Sequence, residues 1–106
     1  VHVRMKALLS EYNAKKIKCF DDILDFHKRF EDIHPFQDGN GRVGRLIMFR
    51  ECLANGIVPF IITDALKFYY YRGLNDWPQV VGFLRDTCLT AQDEYKMVLD
   101  YFKIKY

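Results

Sequence analysis

The sequence predicts an all-α fold, a small bundle of about five helices, and three observations carry that expectation. Apolar residues recur at steps of three and four along nearly the whole chain, the spacing that lines one face of a helix. No stretch alternates apolar and polar residues for long enough to make a strand. Half of the 106 residues are hydrophobic and 28% are charged, a mix that fills a core and excludes a disordered tail. The length admits a single domain, residues 1–106, and excludes a multidomain enzyme.

Each helix has its own markers. Val1, Met5, Leu8, Leu9 and Tyr12 mark the first, which gives way at Asn13 to a solvated stretch that includes Lys15, Lys16 and Lys18. Ile23, Phe26, His27, Phe30 and Ile33 line the second, with Asp21 or Asp22 placed to cap it or to favour its first turn. Pro35 disfavours helical geometry in the residue before it, so this helix stops at His34. The third runs through Val43, Leu46, Ile47, Phe49 and Leu53 and ends at Asn55-Gly56. Residues 57–62 are expected as an extended, buried connector without a partner strand. Thr63 is placed to cap a fourth helix that reaches Tyr71 and breaks at Gly73. Asn75 or Asp76 then caps a long fifth helix, with Trp77 and Pro78 in its first turn and Val81, Leu84, Cys88, Ala91, Tyr95, Val98, Leu99 and Phe102 along its seam.

Charge and cysteine usage bound the function. Sixteen basic against fourteen acidic residues leave a net charge of +2, too small for a general affinity for nucleic acid or an anionic membrane. Cys19, Cys52 and Cys88 are widely spaced among apolar neighbours, so they read as reduced core residues and neither as a disulfide framework nor as a metal site. No apolar run is long enough to span a bilayer, and the expected location is cytoplasmic. His2 and His27 lack any surrounding constellation and read as packing or surface residues.

The segment His34–Arg45 stands apart, because it places a base, a carboxylate, a glycine-bearing loop and two arginines within twelve residues between two helices. Gly39 and Gly41 let successive backbone N–H groups turn inward as an anion nest at the positive end of the next helix. Arg42 and Arg45, three apart at its start, share a face from which both guanidinium groups reach one polyphosphate. Cations there oppose the helix dipole, and a bound polyanion reverses that sign. Asp38 is awkward beside phosphate unless a cation lies between them, which points to Mg²⁺. His34 is the one group able to take a proton near neutral pH, and so the candidate general base. Phe36, aromatic in a polar loop, reads as the anchor pinning the loop to the core, and Tyr70 is the candidate neighbour of an adenine ring.

This segment resembles the Fic family, whose signature His-Pro-Phe-x-Asp/Glu-Gly-Asn-Gly-Arg-x-x-Arg is met at every specified position from His34 to Arg45. The resemblance extends upstream through Phe26–Ile33 and downstream through Leu46–Gly56; beyond that it weakens, with Tyr70–Leu74 similar to the family's following helix. It implies transfer of AMP from ATP to a Ser, Thr or Tyr hydroxyl of a target protein. In that reading His34 deprotonates the hydroxyl, Asp38 holds Mg²⁺, Gly39, Asn40 and Gly41 cradle the phosphates, and Arg42 and Arg45 neutralise them. Many members add a β-hairpin flap before the signature and an inhibitory helix, separate or N-terminal, patterned Ser/Thr-x-x-x-Glu/Asp-Gly. The stretch Thr90–Glu94 has that helix's spacing, but Tyr95 stands in place of its glycine. The expectation is a Fic core lacking its N-terminal flap and weak in transfer on its own. Two other readings stay open: a relative that transfers phosphate or another nucleotide, and a helical interaction fragment that does no chemistry.

Overall fold

The computed structural model describes residues 1–106 as five α-helices and no strand. They are α1 (His2–Ala14), α2 (Phe20–Ile33), α3 (Asn40–Ala54), α4 (Lys67–Asp76), entered through a 3₁₀ turn at Asp64–Leu66, and α5 (Val81–Tyr101). The all-α bundle expected from the periodicity is the observed fold. No helix is long and apolar enough to cross a membrane.

The site's position depends on α2, which packs against α1, α3 and α5. Its two apolar flanks feed separate clusters. Ile23 and Leu24 join Met48, Cys52, Phe60, Tyr70, Leu84 and Cys88 in the main core. Phe26, Phe30 and Ile33 close on Leu8 of α1 in a smaller one. Because α1 rests mainly on α2, with Tyr12 donating its hydroxyl to Glu51 Oε1 of α3 at 2.8 Å, Leu8 is its one buried residue, and Val1 and Leu9, expected inside, are exposed. The start of α2 is capped reciprocally: the Cys19 N–H donates to Asp22 Oδ2 at 2.9 Å, with the Cys19 side chain facing the N–H of the same turn. That role holds Cys19 at the surface and corrects its expected place in the core; Cys52 and Cys88 are buried and free.

Residues 57–62 form the buried connector, with Phe60 and Ile62 in the core and the Val58 carbonyl accepting from Gln92 Nε2 at 2.8 Å. The segment after it departs from expectation. Helix α4 passes through Gly73 and continues to Asp76, because this glycine marks a close crossing of α5 and not a break. A Cβ there would lie 2.6 Å from Leu84 Cα and 2.7 Å from its N. Trp77 and Pro78, joined by a cis peptide, lie between the helices and not in the first turn of α5, which begins at Val81. The Trp77 ring is buried, and its indole N–H donates to Asp25 Oδ1 at 3.0 Å, an attachment to α2 that a helical turn here would not reach. At the far end of α5, Val98 and Phe102 are exposed, since the core stops short of them.

The crossing at Gly73 generates a paired prediction. Gly73→Ala is expected to destabilise the fold by about 3 kcal/mol, because backbone must move to admit the methyl group. Gly82→Ala, in helix and with open space around the new Cβ, is expected to stabilise it by up to about 1 kcal/mol. Urea unfolding of both variants checks the contrast.

Candidate functional site

The chain turns from α2 to α3 through residues held by specific local chemistry. His34 ends α2 in the left-handed region, φ 54° and ψ 60°, its N–H donating to Phe30 O at 3.2 Å. A non-glycine residue rarely adopts this conformation, and it leaves His34 exposed at the rim. Gly39, at φ 77°, makes the opposite turn into α3. The helix starts at Asn40, so Asn40 and Gly41 belong to its first turn and the loop is shorter than the glycine spacing suggested.

Asn40 locks that loop. Its amide Nδ2 donates to Phe36 O at 2.7 Å and its Oδ1 accepts from Phe36 N at 2.9 Å, with the side chain buried. The anchoring expected of the Phe36 ring is therefore carried mostly by its backbone. The ring itself is 49% exposed and meets Phe30 at 6.4 Å between centroids. Asn40 spends its side chain on the loop, which leaves only its N–H, with those of Gly41 and Arg42, unpaired in the first turn. Asp38 is exposed, and its Oδ1 accepts from the Gly39 N–H at 2.8 Å.

The arginines lie back over the loop. Helical side chains lean toward the N-terminus, so Arg45, although in the second turn, brings its guanidinium to the first. A Cβ at Gly41 would stand 3.0 Å from Arg45 Nη1, and one at Gly39 would stand 3.2 Å from Arg42 Nη2. Glycine at these positions thus clears space for the guanidinium groups. Arg45 Nη1 is buried without a hydrogen-bond partner. Beside the two arginines opens a cavity of about 390 Å³, walled by Leu46, Met48, Phe49, Phe60 and Ile62.

Beneath the loop lies a polar floor that sequence reasoning missed. The Tyr70 hydroxyl and His27 Nε2 are hydrogen bonded, and both side chains are buried. Tyr70 therefore has no face to offer an adenine ring; the aromatic run puts it in the core, and its neighbours Tyr69 and Tyr71 are the exposed ones. Burial raises the Tyr70 pKa, so the phenol stays protonated. Burial pushes the His27 imidazole down to about 4, with the Arg45 charge adding to the effect and the Gly44 backbone opposing it. Glu31 is half-buried, which raises its pKa, while the charges of Arg45 and His34 pull it back. Gly44 makes this floor possible: a Cβ there would collide with Glu31 Oε1 and stand 3.2 Å from His27 Cε1. The available signal was His27 and Glu31 four apart on one face of α2, opposite a glycine inside a helix.

No group of three or more His, Cys, Asp or Glu side chains converges in the molecule. A cation at Asp38 would draw its remaining ligands from substrate oxygens and water, which suits the chemistry of Mg²⁺.

Residues 1–52 match the Fic/DOC family. A probable protein adenylyltransferase of Aquifex aeolicus is 46% identical over 56 residues, which are 53% of this chain and 18% of that protein. The protein adenylyltransferase Fic of Drosophila mojavensis is 35% identical over 74 residues, 65% of this chain and 15% of its own length. Its counterpart from Nematostella vectensis is 43% identical over 49 residues, 46% of this chain and 12% of its own. The chain thus spans less than a fifth of each of these relatives.

The floor and the clamp can each be tested. Because His27 binds its proton more weakly folded than unfolded, the unfolded state takes up more protons as pH falls from 6.5 toward 4. Stability is then complete above pH 6.5 and falls by about 3 kcal/mol on the way down. Urea unfolding at a series of pH values is expected to show this slope and to lose it in His27→Gln. Asn40→Ala, which leaves Phe36 N–H and C=O without partners, is expected to cost about 2 kcal/mol. Faster amide exchange across residues 36–41 than elsewhere is the accompanying signature.

Proposed function

We propose that this chain, a member of the Fic/DOC family through residues 1–52, is the core of a protein adenylyltransferase that moves AMP from ATP to a Ser, Thr or Tyr hydroxyl of a target protein. The observation that carries the reading is Arg45 Nη1, a buried cationic donor without an acceptor, laid over Gly41 at the start of α3. Alone, such a cation opposes the helix dipole and wastes a hydrogen bond. A polyphosphate supports both, because its oxygens accept from Arg42, Arg45 and the unpaired N–H groups of the first turn together.

The roles follow from position. The target hydroxyl oxygen forms a bond to the α-phosphorus while His34, exposed at the rim, takes its proton. The bond from the α-phosphorus to the bridging oxygen breaks, and pyrophosphate leaves with the electron pair. Arg42 and Arg45 stabilise the charge that collects on it, the main service phosphoryl transfer asks of a protein. Asp38 would hold Mg²⁺, which when bound neutralises part of the phosphate charge. The cavity beside the arginines takes the adenine between Leu46 and Phe49, in place of Tyr70. The relatives named protein adenylyltransferase support AMP as the transferred group.

ATP labelled at the α-phosphorus is expected to leave label on protein in a cell extract, in a manner that depends on this chain. His34→Ala is expected to reduce that labelling by about 10²- to 10⁴-fold. Label arriving only from the γ-phosphorus would assign phosphate transfer instead, and equal labelling by the variant would remove His34 from the chemistry. Calorimetry with Mg²⁺ and ATP is expected to show binding that Arg45→Ala weakens at least tenfold. No binding by either form would favour an interaction fragment.

A further inference from the structure

We propose that Tyr70 is a positioning residue, whose buried ring is the shelf under the Arg45 guanidinium and presents that arginine to the phosphate chain in one place. The consequence for phosphate rests on the function proposed above; the contact between the two side chains does not.

Arg45 Cζ lies over the Tyr70 ring, 5.8 Å from its centroid, within the range at which a cation is attracted to the negative face of an aromatic ring. No carboxylate is paired with this arginine, since none of the ion pairs of the molecule includes it. Its Nη1 is buried without a hydrogen-bond partner. The ring face is thus the attractive contact of defined geometry that the guanidinium makes. Arg42, by contrast, is exposed and lies over no ring. The attraction between cation and ring grows as water is removed, and Tyr70 is fully buried.

The ring is itself held. Its hydroxyl, on α4, is hydrogen bonded to His27 Nε2 on α2, across 43 residues of chain. A phenol is a costly way to fill core space, because a buried hydroxyl gives up solvation that a phenylalanine would not, and only a partner such as His27 offsets the loss. The His27 ring stands beside Gly44, where a Cβ would lie 3.2 Å from its Cε1, and Arg45 is the next residue. Three helices therefore converge on one arginine: α4 supplies the ring, α2 the imidazole that fixes the ring, and α3 the guanidinium that rests on it. A free arginine loses rotamer freedom when it meets a ligand, whereas one already resting on a buried ring has given up part of that freedom beforehand.

Nuclear Overhauser spectra of the ligand-free chain test the contact. The Tyr70 ring protons are expected to show cross-peaks to the Arg45 side chain and none to Arg42; absence of the Arg45 cross-peaks would overturn the proposal without need of a variant. Calorimetry with Mg²⁺ and ATP tests the consequence. Tyr70→Leu, which removes the aromatic face, is expected to weaken affinity about tenfold, and Tyr70→Phe, which keeps it, by no more than about threefold. Equal losses in the two variants would assign the effect to the hydroxyl and sink the role of the ring. Added to Arg45→Ala, Tyr70→Leu is expected to cause no further loss, and additive losses would mean general damage to the core. Should Tyr70→Leu not fold, Tyr70→Phe decides: cross-peaks from the new ring to Arg45 support the shelf, and their loss in a folded chain opposes it. Cross-peaks in a wild-type chain that binds no ATP would leave the contact standing and count against the phosphate reading instead.

Discussion

The approach of α2 to α3 at Gly44 is the contact on which the site depends. A Cβ there would collide with the end of the Glu31 side chain and crowd the His27 ring, so the carboxylate would have to turn away from its place between the helices. Pro35 stops α2 and α3 begins at Asn40, so a loop of few residues has to cover the gap. Hence the two left-handed turns, at His34 and Gly39, and hence the Asn40 clamp on Phe36 that keeps the short path in one shape. The same closeness brings His27 to Tyr70 of α4, so the loop stands on the main core rather than beside it.

Several local choices at this site work against stability. A non-glycine residue sits in the left-handed region, guanidinium groups crowd the positive end of a helix, and buried polar atoms lack partners. Each is a local cost that the rest of the fold has to offset. The bundle supplies the opposing stability elsewhere, through the α4–α5 crossing at Gly73 and through Trp77, which locks the connection between those helices to Asp25 of α2. A rigid far side is what allows a strained near side.

Charge is managed by depth. Surface acids and bases of α2 pair with neighbours or lie in solvent, where they matter little to stability. Buried groups are handled differently: His27 stays neutral, Tyr70 stays protonated, and half-buried Glu31 has its pKa raised. The field at the loop is thus set by few charges, and the arginines dominate it.

Much of this was legible in the residues themselves. The helix periodicity, the stop imposed by Pro35, the end at Asn55-Gly56 and the whole His34–Arg45 segment could be read without coordinates, because each rests on interactions between residues close in sequence. The rest lay outside that reach. Gly73 reads as a breaker and serves as a crossing, Trp77 reads as a helix start and serves as a corner, Cys19 reads as core and serves as a cap, and Tyr70 reads as a ligand neighbour and is sealed inside. In most of these the deciding partner lies dozens of residues away: Asp25 for Trp77, His27 for Tyr70, Val58 for Gln92. By itself the sequence determined which chemistry the loop holds and which helices flank it, since backbone preference and residue type act locally. Only the tertiary structure decided which side chains stand beneath the loop, since burial is a property of the packed whole.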